Sequence, residues 1–161
     1  MNFIKRIDDL GRIVIPKEIR RILCIQNNEN MEISINNDEI ILKKHSLLKE
    51  KEKELIKLCI LIQNISNKII IVTDREKVIY SNIESINNKN LSAELKDDIT
   101  NRKLIEKGTN ITNEFKVGSN FIYKNLIVDS NQTGLIFLID EDINDKDKLL
   151  LEIVSKYINT I

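Results

Sequence analysis

Residues 6–23 read RIDDLGRIVIPKEIRRIL, and the order of turn formers, β-branched residues and a proline in this stretch decides how the N-terminal part of the chain folds. In Asp8-Asp9-Leu10-Gly11 the short carboxylates can accept from nearby backbone N–H groups, and Gly11 can take a positive φ with no Cβ to clash. A chain reversal is predicted there. Phe3 to Ile7 reads as the strand that enters it and Arg12 to Ile15 as the strand that leaves, since Ile13, Val14 and Ile15 are β-branched. Pro16 ends the ladder because it has no N–H, and its fixed φ suits the opening of a helix. Lys17 to Cys24 fits two helical turns, with Ile19, Ile22 and Leu23 on an apolar stripe and Arg20 and Arg21 projecting to the other side.

Working outward, Met31, Ile33 and Ile35 alternate with polar neighbours, Asn36-Asn37-Asp38 is turn chemistry, and Glu39 to Lys44 is a returning strand. Residues 1–45 would then hold two hairpins and one short helix. A unit of that size has a marginal interior, since below ~40 to 60 residues a single core rarely suffices. A partner chain is predicted.

The run from Arg6 to Leu23 resembles the AbrB family of bacterial transition-state regulators, whose members read close to R-x-D-x-L-G-R-[IV]-x-I-P-x-E-[IL]-R-x-x-L. The resemblance covers roughly residues 3 to 45. It implies an α+β fold in which the hairpins of two chains interleave into one swapped-hairpin β-barrel dimer with one short helix, and it implies double-stranded DNA as the partner. The DNA-binding positions it carries over are Lys5, Arg6, Arg12, Arg20 and Arg21. Arginine suits the task because its planar fork can grip a phosphate, or guanine O6 and N7, with two parallel bonds. Lys5 stands where many relatives have Arg, which keeps the charge and gives up the bidentate geometry.

Ser46 to Asn67 is strongly helical, with Leu55, Leu58, Ile62 and Ile65 spaced by three and four and Leu48 and Lys51 one heptad upstream. This fits either a linking helix that forms a helix–helix dimer seam or a helix lying on a second domain's sheet. Residues 68–161 then read as strands at Ile69–Thr73 and Val78–Ser81 around an Asp74-Arg75-Glu76-Lys77 turn, and a helix from Leu91 to Lys107 with Leu95, Ile99 and Leu104 or Ile105 inward. Strands follow at Phe115–Val117, Phe121–Asp129 and Gly134–Ile139, the last two joined by Ser130-Asn131-Gln132-Thr133. A helix from Lys146 to Ile161, capped by Asn144 or Asp145, closes the chain with Leu150, Ile153, Val154, Tyr157, Ile158 and Ile161 on one face. An antiparallel sheet flanked by helices is predicted, and the layout resembles a minimal GAF-like or PAS-like domain. The resemblance extends to sporulation regulators of the same family in which such a domain follows the DNA-binding one.

The 25 basic and 25 acidic residues balance, so any basic surface is local. Residues 1–21 hold six Lys or Arg against three acids. The excess of three positive charges points at the opening stretch. Cys24 and Cys59 sit in apolar patterns and read as buried free thiols of a reducing cytosol. No apolar run approaches the ~20 residues that span a bilayer, and no signal peptide is legible, so a soluble, cytoplasmic protein with no membrane partner is expected.

No catalytic or metal constellation emerges, and neither an enzyme nor a cofactor is expected. His45 has no second histidine or cysteine at ligand spacing and reads as a solvated linker residue. Ser66, Ser81, Ser119 and Ser130 lack a nucleophile elbow, Gly108, Gly118 and Gly134 form no phosphate-cradling run, and Asp97-Asp98 and Asp140-Glu141-Asp142 read as helix-surface charge and a helix-entry loop. The polar stretch from Thr109 to Asn120 is a candidate pocket lid over an unidentified small-molecule effector. The expected function is a sequence-specific transcriptional regulator of spore-formation or stationary-phase genes, dimeric through residues 1–45 and homotetrameric through the second domain. An antitoxin that binds its own operator is the alternative, because similar swapped-hairpin domains occur in toxin–antitoxin pairs.

Overall fold

The structure is a computed structural model that describes residues 2–23, 25, 27, 29–45, 47–118, 120–128 and 131–160. It is a mixed α+β protein with several antiparallel sheets. Its internal contacts divide it into two compact units, Met1–His45 and Ser46–Ile161.

In unit 1 the short helix α1, Lys17–Ile22, is followed by a hairpin of β1, Met31–Asn36, and β2, Glu39–Lys44. The hairpin register runs from Met31 opposite Lys44 to Asn36 opposite Glu39, and Asn37 takes φ +52 at the turn, a conformation Asn tolerates. Phe3–Ile7 and Arg12–Ile15 differ from expectation. They join no ladder in the single chain, and only their turn is formed. A strand is defined by the neighbour it bonds to, and within one copy of unit 1 that neighbour is missing for both segments. None of the described residues of unit 1 is buried, and Ile4, Val14, Ile33, Ile35 and Ile40 stand open to solvent.

Unit 2 has a four-stranded antiparallel sheet in the order β4-β3-β8-β7, built from β3 (Ile69–Thr73), β4 (Val78–Ser81), β7 (Phe121–Val128) and β8 (Asn131–Ile139). Because strand side chains alternate, each face carries its own core. Ile70, Val72, Ile136 and Leu138 point to one face, where helices α2 (Leu47–Glu50), α3 (Glu52–Ser66) and α5 (Asp145–Thr160) contribute Leu48, Leu55, Cys59, Ile62, Leu151, Val154 and Ile158. Ile71, Leu135, Phe137 and Ile139 point to the other, covered by α4 (Ala93–Asn101) with Leu95 and Ile99, and by the two-stranded β5 (Asn110–Thr112) and β6 (Phe115–Lys116). Gly134 is required at the crossing of β8 and β3: a Cβ there would lie 1.9 Å from the Thr73 carbonyl oxygen.

Several boundaries move for identifiable reasons. The helix expected over Ser46–Asn67 breaks at Lys51, and Leu55 and Ile62 of its expected seam are spent on the sheet of their own unit, while Ile65 is half exposed. The helix expected to run to Lys107 stops at Asn101, where Arg102 takes φ +53 and caps it; Ile105 then turns inward and Leu104 outward. In α5 the buried apolar positions are Leu151, Val154 and Ile158, whereas Ile153 and Tyr157 of the expected face are exposed. Asn144 caps this helix. Its Oδ1 accepts from the Lys146 and Asp147 N–H groups, and Asp147 Oδ2 accepts from the Asn144 N–H in return. The Thr109–Asn120 stretch contains the β5–β6 hairpin, with Ile111, Thr112 and Val117 buried. Cys59 is buried, and burial pushes its thiol up to about 12. Cys24, Ser119, Ser130 and Ile161 lie outside the described residues.

Candidate nucleic-acid interface

The turn of residues 8–12 is built around one carboxylate. Asp8 Oδ1 accepts from the Leu10 N–H at 3.0 Å and the Arg12 N–H at 2.8 Å, while Oδ2 accepts from Arg12 Nε at 2.7 Å. The backbone closes around it, with the Asp8 N–H donating to the Arg12 carbonyl and the Gly11 N–H to the Asp8 carbonyl. Gly11 sits at φ +75 with open space where a Cβ would go, so the backbone conformation alone selects glycine. The Arg12 N–H and the Arg12 guanidinium, with the Leu10 N–H adding to them, hold the Asp8 carboxyl below the usual carboxylate range.

Helix α1 follows from Pro16, whose extended backbone (φ −54, ψ 145) leads into the first turn and whose carbonyl accepts from the Arg20 N–H. Glu18 in the first turn and Arg20 and Arg21 in the last complement the helix dipole. The two arginines are placed differently. Arg21 is exposed, whereas Arg20 is half-buried: its Nη1 donates to Asn27 Oδ1 at 3.2 Å, and its Nε is buried with no hydrogen-bond partner among the described residues. Ile22 and Leu23, expected to pack inward, are more than half exposed in the single chain. Lys5, Arg6 and Arg12 are exposed. Thus the turn presents Arg12, the segment before it Lys5 and Arg6, and the helix Arg21, while Arg20 is tied to the loop that follows.

Two residues escaped the sequence reading. Asn27 holds Arg20 across seven positions, for which no pattern is diagnostic, and Asp8 serves a side chain as well as the turn. The Asp-x-x-x-Arg spacing across a tight turn was the available signal for the second.

In unit 2 an open groove of about 500 Å³ is lined by Ile105, Phe121, Tyr123, Lys124, Lys148 and Glu152, among others. Phe121, Tyr123 and Phe137 form an aromatic cluster with ring centroids 5.8 to 6.4 Å apart, and Tyr123 Oη accepts from the Ile105 N–H. The described residues contain no group of His, Cys, Asp and Glu arranged to hold a metal ion, and no helix among them is long and apolar enough to cross a membrane.

Residues 4–50 match the family model described as antidote-toxin recognition MazE, bacterial antitoxin. Over 48 residues the chain is 56% identical to stage V sporulation protein T of Bacillus subtilis (strain 168), which is 29% of this chain and 27% of that one. Over 42 residues it is 45% identical to the transition state regulatory protein AbrB of the same organism, 26% of this chain and 44% of the relative. The N-terminal 45 or so residues are a MazE/AbrB-type domain. The matched stretch thus spans about a quarter of the first curated relative and under half of the second, and the family-model match over residues 4–50 takes in the Asp8–Arg12 turn, helix α1 and the β1–β2 hairpin.

Proposed function

We propose that this chain is a sequence-specific DNA-binding transcriptional regulator of sporulation or stationary-phase genes, active as an intertwined dimer through residues 1–45. One observation carries the reading. The MazE/AbrB-type unit has no buried side chain of its own among the described residues, yet it displays Lys5, Arg6, Arg12 and Arg21 beside exposed Ile13, Val14, Ile33, Ile35 and Ile40. A second copy covering the apolar strands would complete the ladders that Phe3–Ile7 and Arg12–Ile15 lack and would double every cation across a two-fold axis. The doubled cations suit two half-sites on a duplex.

Unit 2 joins dimers in this reading. Leu61 and Ile65 of α3 and Leu149, Ile153 and Tyr157 of α5 are exposed apolar residues on helices whose opposite faces already pack on the sheet. Such exposed apolar surface marks association, and a homotetramer follows. The groove beside Phe121 and Tyr123 is the place for a small-molecule effector.

The deciding experiment is selection from a library of random-sequence duplexes with the full chain, followed by gel-shift titration of the enriched sequence. Enrichment of one sequence with a steep salt dependence is expected. Binding that never discriminates among duplexes would overturn the reading. A second reading, an antitoxin that binds its own operator, draws on the description of the matching family. Its signature would be co-purification with a toxin encoded beside it.

A further inference from the structure

The two oxygens of Asp8 do different jobs. Oδ1 is consumed by two backbone N–H groups and fixes the turn, which leaves Oδ2 free to hold a side chain, and it holds Arg12 at Nε. Both side chains are substantially solvent-exposed, 43% for Asp8 and 71% for Arg12. An ion pair that open to water contributes little to stability, so the contact needs another explanation. Its geometric effect is specific. With Nε engaged, the guanidinium can rotate little about its own stem, and the Nη1 and Nη2 hydrogens, which make no hydrogen bond among the described residues, form the outward edge. That edge is the one that meets guanine O6 and N7 end-on. The carboxylate beside it also repels phosphate, and therefore weakens the alternative in which Arg12 settles on the DNA backbone.

We propose that Asp8 is a positioning residue that commits Arg12 to a base edge and away from phosphate, so that the turn of residues 8–12 reads sequence. This rests on the DNA-binding reading of unit 1 and specifies which part of that unit discriminates.

Asp8→Asn separates the two jobs: the amide oxygen still accepts from the Leu10 and Arg12 N–H groups, while the NH₂ cannot accept from Arg12 Nε. The full chain, D8N, R12A and the double variant are titrated with the duplex enriched by the wild type and with random-sequence duplex. The ratio of the two affinities should fall about tenfold in D8N, the worth of one bidentate base contact. Affinity for random duplex should hold or rise, because one negative charge per chain has gone. In the R12A background D8N should change the ratio no further. An unchanged ratio in D8N, or the same further loss in R12A as in the wild type, overturns the proposal. Arg12→Lys leaves the turn and its acid untouched and provides a check independent of any folding defect in D8N. It keeps the charge without the fork, so the ratio should fall as in D8N, and an unaltered ratio counts against the idea. If the wild type enriches no sequence, the DNA reading itself falls. If it enriches one and the variants are silent, only the role of Asp8 falls.

Discussion

Lys68 Nζ lies 3.5 Å from Asp147 Oδ2, and both side chains are more than nine-tenths buried. Lys68 immediately precedes β3, and Asp147 lies in the first turn of α5, so this pair fastens the start of one element to the start of another. The same ammonium donates to the Asp142 carbonyl and stands 3.5 Å from Asp140 Oδ1. Asp140 is held below the usual carboxylate range, chiefly by the Asp142 N–H and further by Lys68. A buried pair is costly to break from one side, because the orphaned charge stays inside. Lys68→Met should destabilise unit 2 by about 3 kcal/mol or more, and K68M/D147N should recover part of that loss in urea denaturation. Equal losses in the single and double variants would show that the pair does not act as a unit.

Gly134→Ala should cost about 3 kcal/mol, since the new methyl would lie 1.9 Å from the carbonyl oxygen of Thr73, the last residue of β3 paired with β8, and only backbone movement could relieve it. Gly118→Ala is the control. A Cβ there meets nothing within 4 Å, and its thermal midpoint should stay close to that of the wild type.

How far the sequence could be read depended on whether local chemistry or distant packing decided each element. The Asn36-Asn37-Asp38 turn, the strands Ile69–Thr73 and Val78–Ser81 and the Asn144 cap were legible because short-range patterns fix them. The end of α4 was not. Nothing in Asn101-Arg102-Lys103 announces that Arg102 will adopt φ +53, and with no Gly or Pro between Leu91 and Lys107 the sequence offers no stop signal. Likewise the expected face of α5 leaves out Leu151, which is buried beside the partly buried Leu150, and takes in Ile153 and Tyr157, which stay exposed, because the whole helix is rich in aliphatic residues and only the sheet decides which ones turn in. At the candidate interface the exposure of Lys5, Arg6, Arg12 and Arg21 follows from charge alone, while the burial of Arg20 Nε depends on a loop seven residues away.

Unit 1 should unfold at a temperature that rises with protein concentration, because covering Ile33, Ile35 and Ile40 requires another copy. Calorimetry of the full chain over a hundredfold concentration range checks this. A concentration-independent transition for unit 1, followed through amides of β1 and β2, would refute the interleaved dimer.

Sedimentation of the full chain should give a tetramer, and Leu61→Lys with Ile153→Lys should give a dimer of unchanged fold, since both side chains are more than half exposed in the single chain. A dimer from the wild type would leave unit 2 without an assembly role.

Asp8 should titrate below the ordinary ~3.9 of an aspartate. Its folded-state value is depressed, so the order it gives the turn is present above the unfolded value and is lost as pH falls through the folded one. Carbon-detected NMR of the Asp8 carboxyl reads this directly. Arg12→Ala should move the midpoint up toward the ordinary value, though not wholly, because the Leu10 and Arg12 N–H groups still bond Oδ1.

The two-faced sheet of unit 2 has a consequence for how its sequence can change over time. Ile70 and Ile71 are neighbours in the chain but belong to different interiors, as do Ile136 and Phe137. A change in volume at Ile71 is felt by Leu95, Phe137 and Ile139, and one at Ile70 by residues of α3 and α5. Compensating substitutions therefore arise within a face rather than along a strand. The face covered by α2, α3 and α5 can drift in composition independently of the face covered by α4.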